Sequence, residues 1–348
     1  MSANAARHSQ GKSRLRFSFQ TIQTASVFLL LVALCVISSL RTETFFTWGN
    51  LVDNLLTNAA YTGVIACGMT FVMVAGGFDL SVSSITAVCS VVAVLTLQAL
   101  AGMGPWVAIP AAILATVAAG AALGASNGVL IAYVGVNPFV VTLSTMLIFR
   151  GLALVITHGG QTIEVPPALR GPFRALYWGR VDLLPGSAHR LGIPILIFVG
   201  VFVVFLCVLR LTRFGHYTYA VGGNETASWL AGVNTPLVKA VTYVLSGLTC
   251  GIAALIYAGM SNTAQAASYQ GLEMVVIASV IVGGTPRGGG QGGLWYTLNG
   301  LLLLSVIENL LTQFGITEEY RNIVRGAIIV TVVAIDVTLR RTRTGKRA

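Results

Sequence analysis

Charge is scarce in this chain: charged residues make up 9% of its 348 positions, with 21 basic and 11 acidic. A soluble globular protein carries about 25% charged residues and keeps them at its surface. So little polar surface excludes an ordinary cytosolic enzyme, a nucleic-acid-binding domain and a disordered chain. Paired cysteines are also missing. Cys35, Cys67, Cys89, Cys207 and Cys250 all lie inside apolar runs with no paired spacing, which excludes a disulfide framework or a zinc site. The four histidines, His8, His158, His189 and His216, are scattered, with no carboxylate cluster beside them, so nothing points to a metal centre. No phosphate-cradling loop occurs: Gly11-Lys12-Ser13 has Ala6 where Gly-x-x-x-x-Gly-Lys-Ser needs glycine. Gly288, Gly290 and Gly293 match Gly-x-Gly-x-x-Gly, but between two apolar spans and not within a strand-helix unit, so the match carries no dinucleotide meaning. No nucleophile elbow or His-Glu-x-x-His is present either. The chain has no catalytic constellation and is not expected to be an enzyme.

What is abundant is apolar sequence: 55% hydrophobic residues and a mean hydropathy of +0.82. A membrane helix needs roughly 20 mostly apolar residues. That template fits about ten times, at 24–40, 51–75, 79–100, 106–133, 138–156, 193–209, 238–258, 272–282, 294–311 and 323–339. The expected class is an all-α polytopic transmembrane helix bundle over 24–339. It lies between a basic tail at 1–23, with Arg7, Lys12, Arg14 and Arg16, and a second at 340–348, with Arg340, Arg341, Arg343, Lys346 and Arg347. An even number of spans puts both tails on one side, and positive charge favours the cytoplasm. The loops at 210–236 and around Arg287 then also face inward, and the long polar stretch 158–190 faces outward. That stretch dissents from the rule, because it carries Arg170, Arg174, Arg180 and Arg190.

Four features stand out within this frame. Gly76-Gly77-Phe78-Asp79-Leu80-Ser81 lets the backbone leave a helix, and Asp79 can cap the next one. A broken helix beside a translocation path and a plain turn with a cap both fit it. The glycine-rich run opening at Gly283-Gly284-Thr285 and ending at Gly293 cannot be helical, and must be a loop whose polar groups find partners in protein or water. Two spans thus end in Gly-Gly in the same orientation, a hint of internal duplication. Gly120, Gly124 and Gly128, four apart, offer a smooth face for helix packing. Asn127 on that helix and Asn137 before the next are uncharged groups able to bond either a solute hydroxyl or a neighbouring helix. In the loop 210–236, Gly222-Gly223 breaks the chain, Asn224 can cap, Glu225 favours a helix N-terminus and Gly232 closes it, with Ala227 presenting a small face. An isolated helix this short is marginal in water and must dock on something.

These residues, taken together, resemble the permease subunits of sugar-type bacterial ABC importers, the ribose, xylose, arabinose and galactose branch. The loop at 213–233 resembles that branch's coupling-helix region. Gly76-Gly77-Phe78-Asp79-Leu80-Ser81-Val82 resembles its Gly-Gly-Ile-Asp-Leu-Ser-Val segment, and Gly271 to Gly289 its Gly-Gly-Thr signature. Glu308-Asn309 and the stretch from Arg321 to Asp336 fit its closing span. The likeness covers 51–336, with departures at Ser83-Ser84, Pro286-Arg287 and Ser228-Trp229. It implies a multi-pass protein of the bacterial inner membrane, paired with a second permease copy or a sister permease. A cytoplasmic ATP-binding subunit would dock on the 222–232 helix, and a periplasmic sugar-binding protein would deliver a monosaccharide such as a pentose. The chain itself would bind no cofactor, because ATP is used by the partner. An ion-coupled secondary transporter of a small neutral solute is the competing reading, with Asp79, Glu273, Glu308 and Asp336 as its only carboxylates.

Overall fold

The structure, a computed structural model, describes residues 19–182, 190–317, 319–327 and 330–331, with side chains from residue 26 onward. Twelve α-helices follow one another among these residues: α1 (Phe19–Arg41), α2 (Thr57–Val74), α3 (Val82–Ala99), α4 (Pro105–Ala132), α5 (Pro138–Ile156), α6 (Pro167–Trp178), α7 (Ile193–Leu211), α8 (Arg213–Gly223), α9 (Glu225–Leu230), α10 (Thr235–Ser261), α11 (Leu272–Gly283) and α12 (Leu294–Gln313). A π-helical turn, Gly49–Leu56, runs directly into α2. Seven helical segments among the described residues are long and apolar enough to cross a membrane, and α11 and residues 26–41 of α1 are shorter apolar helices. The chain is an all-α, polytopic membrane bundle. The expected tenth span begins in the helical residues 319–327, and most of it, with Asp336 and both basic tails, lies outside the described residues.

Local chemistry accounts for the helix starts. Asn137, Asn234 and Asn224 each accept a backbone N–H of the first turn they precede, from Phe139 (2.9 Å), Leu237 (3.1 Å) and Ala227 (2.9 Å). Prolines stand in the first turns of α4, α5 and α10, where no N–H partner is lost.

The layering runs against simple hydropathy. Most of the span Gly49–Val74 is buried, yet it is less apolar than α7, most of which is not buried. Lipid-facing helices need apolar side chains all round. A helix enclosed by protein can carry Asn, Thr and Gly, because neighbouring helices satisfy them. So α2 and α3 form the centre, α10 and α4 cross beside them, and α5 and α7 lie outside.

The crossing of α4 and α10 is a backbone-on-backbone contact. A Cβ placed on Gly120 would stand 2.3 Å from the Gly247 carbonyl oxygen, one on Gly124 2.2 Å from that of Tyr243, and one on Gly128 2.7 Å from that of Ala240. Reciprocally, a Cβ on Gly247 would lie 2.1 Å from the Gly120 oxygen. The Gly-x-x-x-Gly face is therefore a packing face. Its partner row on α10 was not evident from the α4 sequence alone.

The polar stretch 158–190 is structured. It holds α6 and the short strands β1 (Ile163–Glu164) and β2 (Arg180–Asp182), and β3 (Arg190–Gly192) follows at its end; residues 183–189 lie outside the described set. β1 pairs antiparallel with β4 (Thr263–Ala264), and β2 pairs antiparallel with β3. Leu169, Phe173 and Tyr177, four apart, bury the inner face of α6, which makes this segment a folded cap on the bundle. Arg170 pairs with Glu164, Arg180 with Asp53 and Arg190 with Asp182.

Substituting Gly124→Val is expected to force the α4–α10 crossing apart, at a cost of about 1–3 kcal/mol. Gly151→Ala, where nothing lies within 4 Å, is expected to be neutral. Thermal unfolding in detergent distinguishes the two, and equal midpoints would refute the packing assignment.

Candidate functional site

At one end of the bundle, α2 stops at Val74 and the chain turns through Gly76, whose φ of 81° favours glycine. Asp79 is completely buried there. Its Oδ1 accepts the Ser81 amide (3.0 Å) and hydroxyl (2.6 Å), and its Oδ2 accepts the Ser246 hydroxyl of α10 (3.0 Å). Asn127 of α4 donates to the Ser81 hydroxyl at 2.7 Å. Tyr243 clasps the Phe78 backbone, accepting its N–H at 3.2 Å and donating to its carbonyl at 3.1 Å. A Cβ on Gly77 would strike that phenol oxygen at 2.7 Å. Asp79 thus does not serve as the side-chain cap of α3, which has Ser81 at its N-cap and no capping side chain. It is the hub that ties the corner to α4 and α10.

The glycine-rich loop after α11 folds back onto the same corner. Gly284, with φ 118°, ends α11, and the buried Thr285 accepts the Gly293 amide at 3.2 Å. The Gly290 amide donates to the Val74 carbonyl at 2.8 Å. A Cβ on Gly222 would stand 1.9 Å from that same Val74 oxygen, one on Gly289 2.7 Å from the Gly76 amide nitrogen, and one on Gly290 2.6 Å from the Gly223 Cα. Tyr219 of α8, whose phenol burial pushes above its ordinary pKa, donates to the Gly292 carbonyl at 2.9 Å. Glycines from three places far apart in sequence therefore meet in one junction, because only residues without a Cβ allow the backbones to touch. Gly76 meets Gly289, while Gly283 lies against Tyr296 of α12.

Gly222 and Gly223 do not break the chain as expected; they are the last turn of α8. The break falls at Asn224, which caps α9, and Gly232 closes α9 with φ 86°. Glu225 pairs with Lys239 at the start of α10, and Ser228 is buried. Ala227, Trp229 and Leu230 face outward, the last two 63% and 73% exposed. The short helix is held by its own chain on one side and bare on the other.

At the opposite end, a cavity of about 530 Å³ opens between the π-helical turn, α2, α10, α11, α12 and residues 321–325. Asn54, Asn58, Tyr61, Tyr257, Ser305 and Glu308 are among the residues lining it. Asn50 and Asn309 fix its rim by exchanging amide hydrogen bonds at 3.1 and 2.9 Å. Arg325 holds Glu308 at 2.6 Å, and Arg321 donates to Thr312 at 2.8 Å. Arg150 of α5 secures the adjoining loop by donating to the Ala266 and Ser268 carbonyls. Deeper in, the space ends: a Cβ on Gly63 would meet Phe198 and Leu301 within 3 Å, and Thr70 and Thr297 share a hydrogen bond at 2.7 Å.

None of Gly76, Gly77, Asp79, Asn127, Asn137, Gly283, Gly284 or Thr285 lines this cavity. Asn127 and Asn137 bond a neighbouring hydroxyl and a helix N-terminus, and the rest belong to the corner and the junction. The sequence carried a signal for the cavity that composition hides: Asn50, Asn54 and Asn58 recur every four residues at the start of an apolar helix.

Comparison with known proteins gives one consistent answer. Residues 51–333 match the family model described as branched-chain amino acid transport system / permease component. The ribose import permease protein of Bacillus subtilis is 36% identical over 317 residues, 90% of this chain and 93% of that protein. That of Escherichia coli K12 is 34% identical over 319 residues, 90% and 94% of the two chains. The L-arabinose transport system permease protein of the same strain is 31% identical over 327 residues, 94% of each. No solved structure matches.

Removing Asp79 as Asp79→Ala strands the Ser81 and Ser246 hydroxyls and is expected to cost about 1–3 kcal/mol per orphaned group. Asn137→Ala loses a cap worth about 1 kcal/mol. Both are expected to lower the unfolding midpoint and leave the half-saturation of transport by folded protein unchanged; a changed half-saturation would put these residues on the solute's path.

Proposed function

This chain belongs to the branched-chain amino acid transport system / permease component family, and on that premise we propose that it is the membrane permease subunit of an ATP-driven importer for a monosaccharide such as a pentose. It is a multi-pass protein of the bacterial inner membrane. It has no catalytic role of its own: ATP is bound and hydrolysed by a separate cytoplasmic subunit, and a periplasmic binding protein delivers the sugar. A second permease, either another copy or a sister chain, completes the pathway. Ten spans with both termini in the cytoplasm fit the basic tails at each end and put Arg210, Arg213 and Arg287 on the inner side. In that orientation the glycine junction and α9 face the cytoplasm, and the cavity opens outward.

The observation that carries this reading is the arrangement of α9. A capped helix of six residues, with Trp229 and Leu230 bare, is suited to a groove on a partner. Gly222, Gly223, Asn224, Glu225, Ala227 and Gly232 shape that helix and its seat. The partner's closure would move α9 and α8 as a rigid body, and the contact of Gly222 and Gly290 with Val74 passes that displacement to the inner end of α2. The same helix lines the cavity with its outer half. The competing ion-coupled mechanism needs a free carboxylate: Asp79 accepts three hydrogen bonds and Glu308 is paired with Arg325, Asp336 lies outside the described residues, and the buried Glu273, whose Oε2 has no partner among the described residues, is the group left to it.

In proteoliposomes with the ATP-binding subunit and binding protein, uptake is expected to require ATP and to persist when ion gradients are collapsed. Uptake driven by a gradient without the ATP-binding subunit would overturn the reading. Trp229→Ala combined with Leu230→Ala is expected to weaken recovery of the ATP-binding subunit about tenfold or more, as loss of a buried aromatic anchor does elsewhere. Unchanged recovery would remove α9 from the interface.

A further inference from the structure

Most of the span Gly49–Val74 is buried, so its exposed positions carry information. Two of them are asparagines, Asn54 and Asn58, one turn apart on the cavity side. An amide turned toward lipid without a partner costs several kcal/mol, so a bundle keeps such groups for water or solute. Neither amide has a hydrogen bond within the described residues, and the same holds for the Ser305 hydroxyl across the cavity on α12 and the Gln270 amide at its mouth. Around them Glu308 is engaged with Arg325, Arg321 with Thr312 and Asn50 with Asn309, and Gln313 donates to Asn309 with its neutral Oε1 unpartnered among the described residues. What the cavity leaves free is therefore neutral, and it holds both donors and acceptors. Beside these groups stands an aromatic wall, with Tyr61 and Tyr257 edge to face at 5.8 Å between ring centres and Tyr257 and Tyr269 at 4.6 Å. At about 530 Å³ the space falls within the range of small-molecule sites.

We propose that this cavity is a solute station for one neutral polyhydroxylated ring. Asn54, Asn58 and Ser305 exchange hydrogen bonds with its hydroxyls, and Tyr61 and Tyr257 cover its apolar face. The proposal rests on the permease reading above and deepens it by naming where the solute stands and which chemistry is admitted. Amides and hydroxyls satisfy a polyol without moving charge. A zwitterionic amino acid, in contrast, brings an ammonium and a carboxylate, whose charged partners here, Glu308, Arg325 and Arg321, are already bonded within the protein. The station is closed on the inner side by Thr70–Thr297 and by the packing of Gly63, so a solute held there has entered from outside and has not yet passed.

The test uses the assembled importer in right-side-out vesicles and the Asn58→Cys variant, compared with the parent chain to subtract its own cysteines. A membrane-impermeant maleimide added outside is expected to label the new thiol. Saturating D-ribose is expected to slow that labelling about tenfold, and L-leucine at the same concentration to leave it unchanged. Protection by leucine equal to that by ribose, or none by either while ATP-driven uptake continues, overturns the station. Labelling only from the cytoplasmic face overturns instead the orientation on which it stands. Should Asn58→Cys not fold, Asn54→Cys serves, one turn nearer the mouth. Independently, Asn54→Leu with Asn58→Leu is expected to slow ribose uptake at least about tenfold with recovery of the ATP-binding subunit unchanged. Undiminished uptake by that variant overturns the proposal as well.

Discussion

The hydrogen bond from the Gly290 amide to the Val74 carbonyl joins a loop to the last turn of the central helix, and Gly222 of α8 presses on the same oxygen. Any side chain at that point would separate the three backbones. The arrangement of the inner end depends on this closeness. It puts α8 directly under α2, which leaves α9 bare beyond it, and it holds the glycine loop against the Gly76 corner. In a membrane bundle there is reason for a contact made of backbone. Without a hydrophobic drive between helices, association comes from close packing and from satisfying every carbonyl and amide.

The α4–α10 crossing uses the same device in mid-bundle, with Gly120, Gly124 and Gly247 lying carbonyl to Cα. Close approach there brings Asn127 within reach of Ser81, and Ser246 within reach of Asp79. A buried carboxylate with three donors costs far less than one left alone. Asp79 thus holds the corner after Val74 fixed, while the other end of α2 borders the cavity. The central helix is clamped at one end and faces open space at the other.

Much of this architecture was legible in the chain. The helices follow from uninterrupted apolar runs, and the starts of α5, α9 and α10 follow from an asparagine whose side chain accepts a first-turn amide. The packing role of Gly120, Gly124 and Gly128 could be read from their four-residue spacing. The functional end was read less well. Asp79, Asn127 and Asn137 drew attention as polar groups in an apolar chain, yet each bonds within the protein, Asn127 through its amide N–H while its buried Oδ1 has no partner among the described residues, and sequence does not show a side chain's partner. Asn54 and Asn58 share a four-residue spacing with Asn50, but spacing does not separate a cap or a packing amide from a free one. Their lack of hydrogen-bond partners beside the cavity marks them.

Composition and periodicity by themselves determined that the chain is a helical membrane protein, where its helices run and which end carries the short capped helix, because those properties depend on local backbone chemistry and on solubility in lipid. Tertiary structure alone decided which glycines meet, which polar groups are consumed and which are left facing the cavity. Those outcomes depend on contacts between residues more than a hundred positions apart, such as Val74 with Gly290 or Asp79 with Ser246, and no local pattern encodes them.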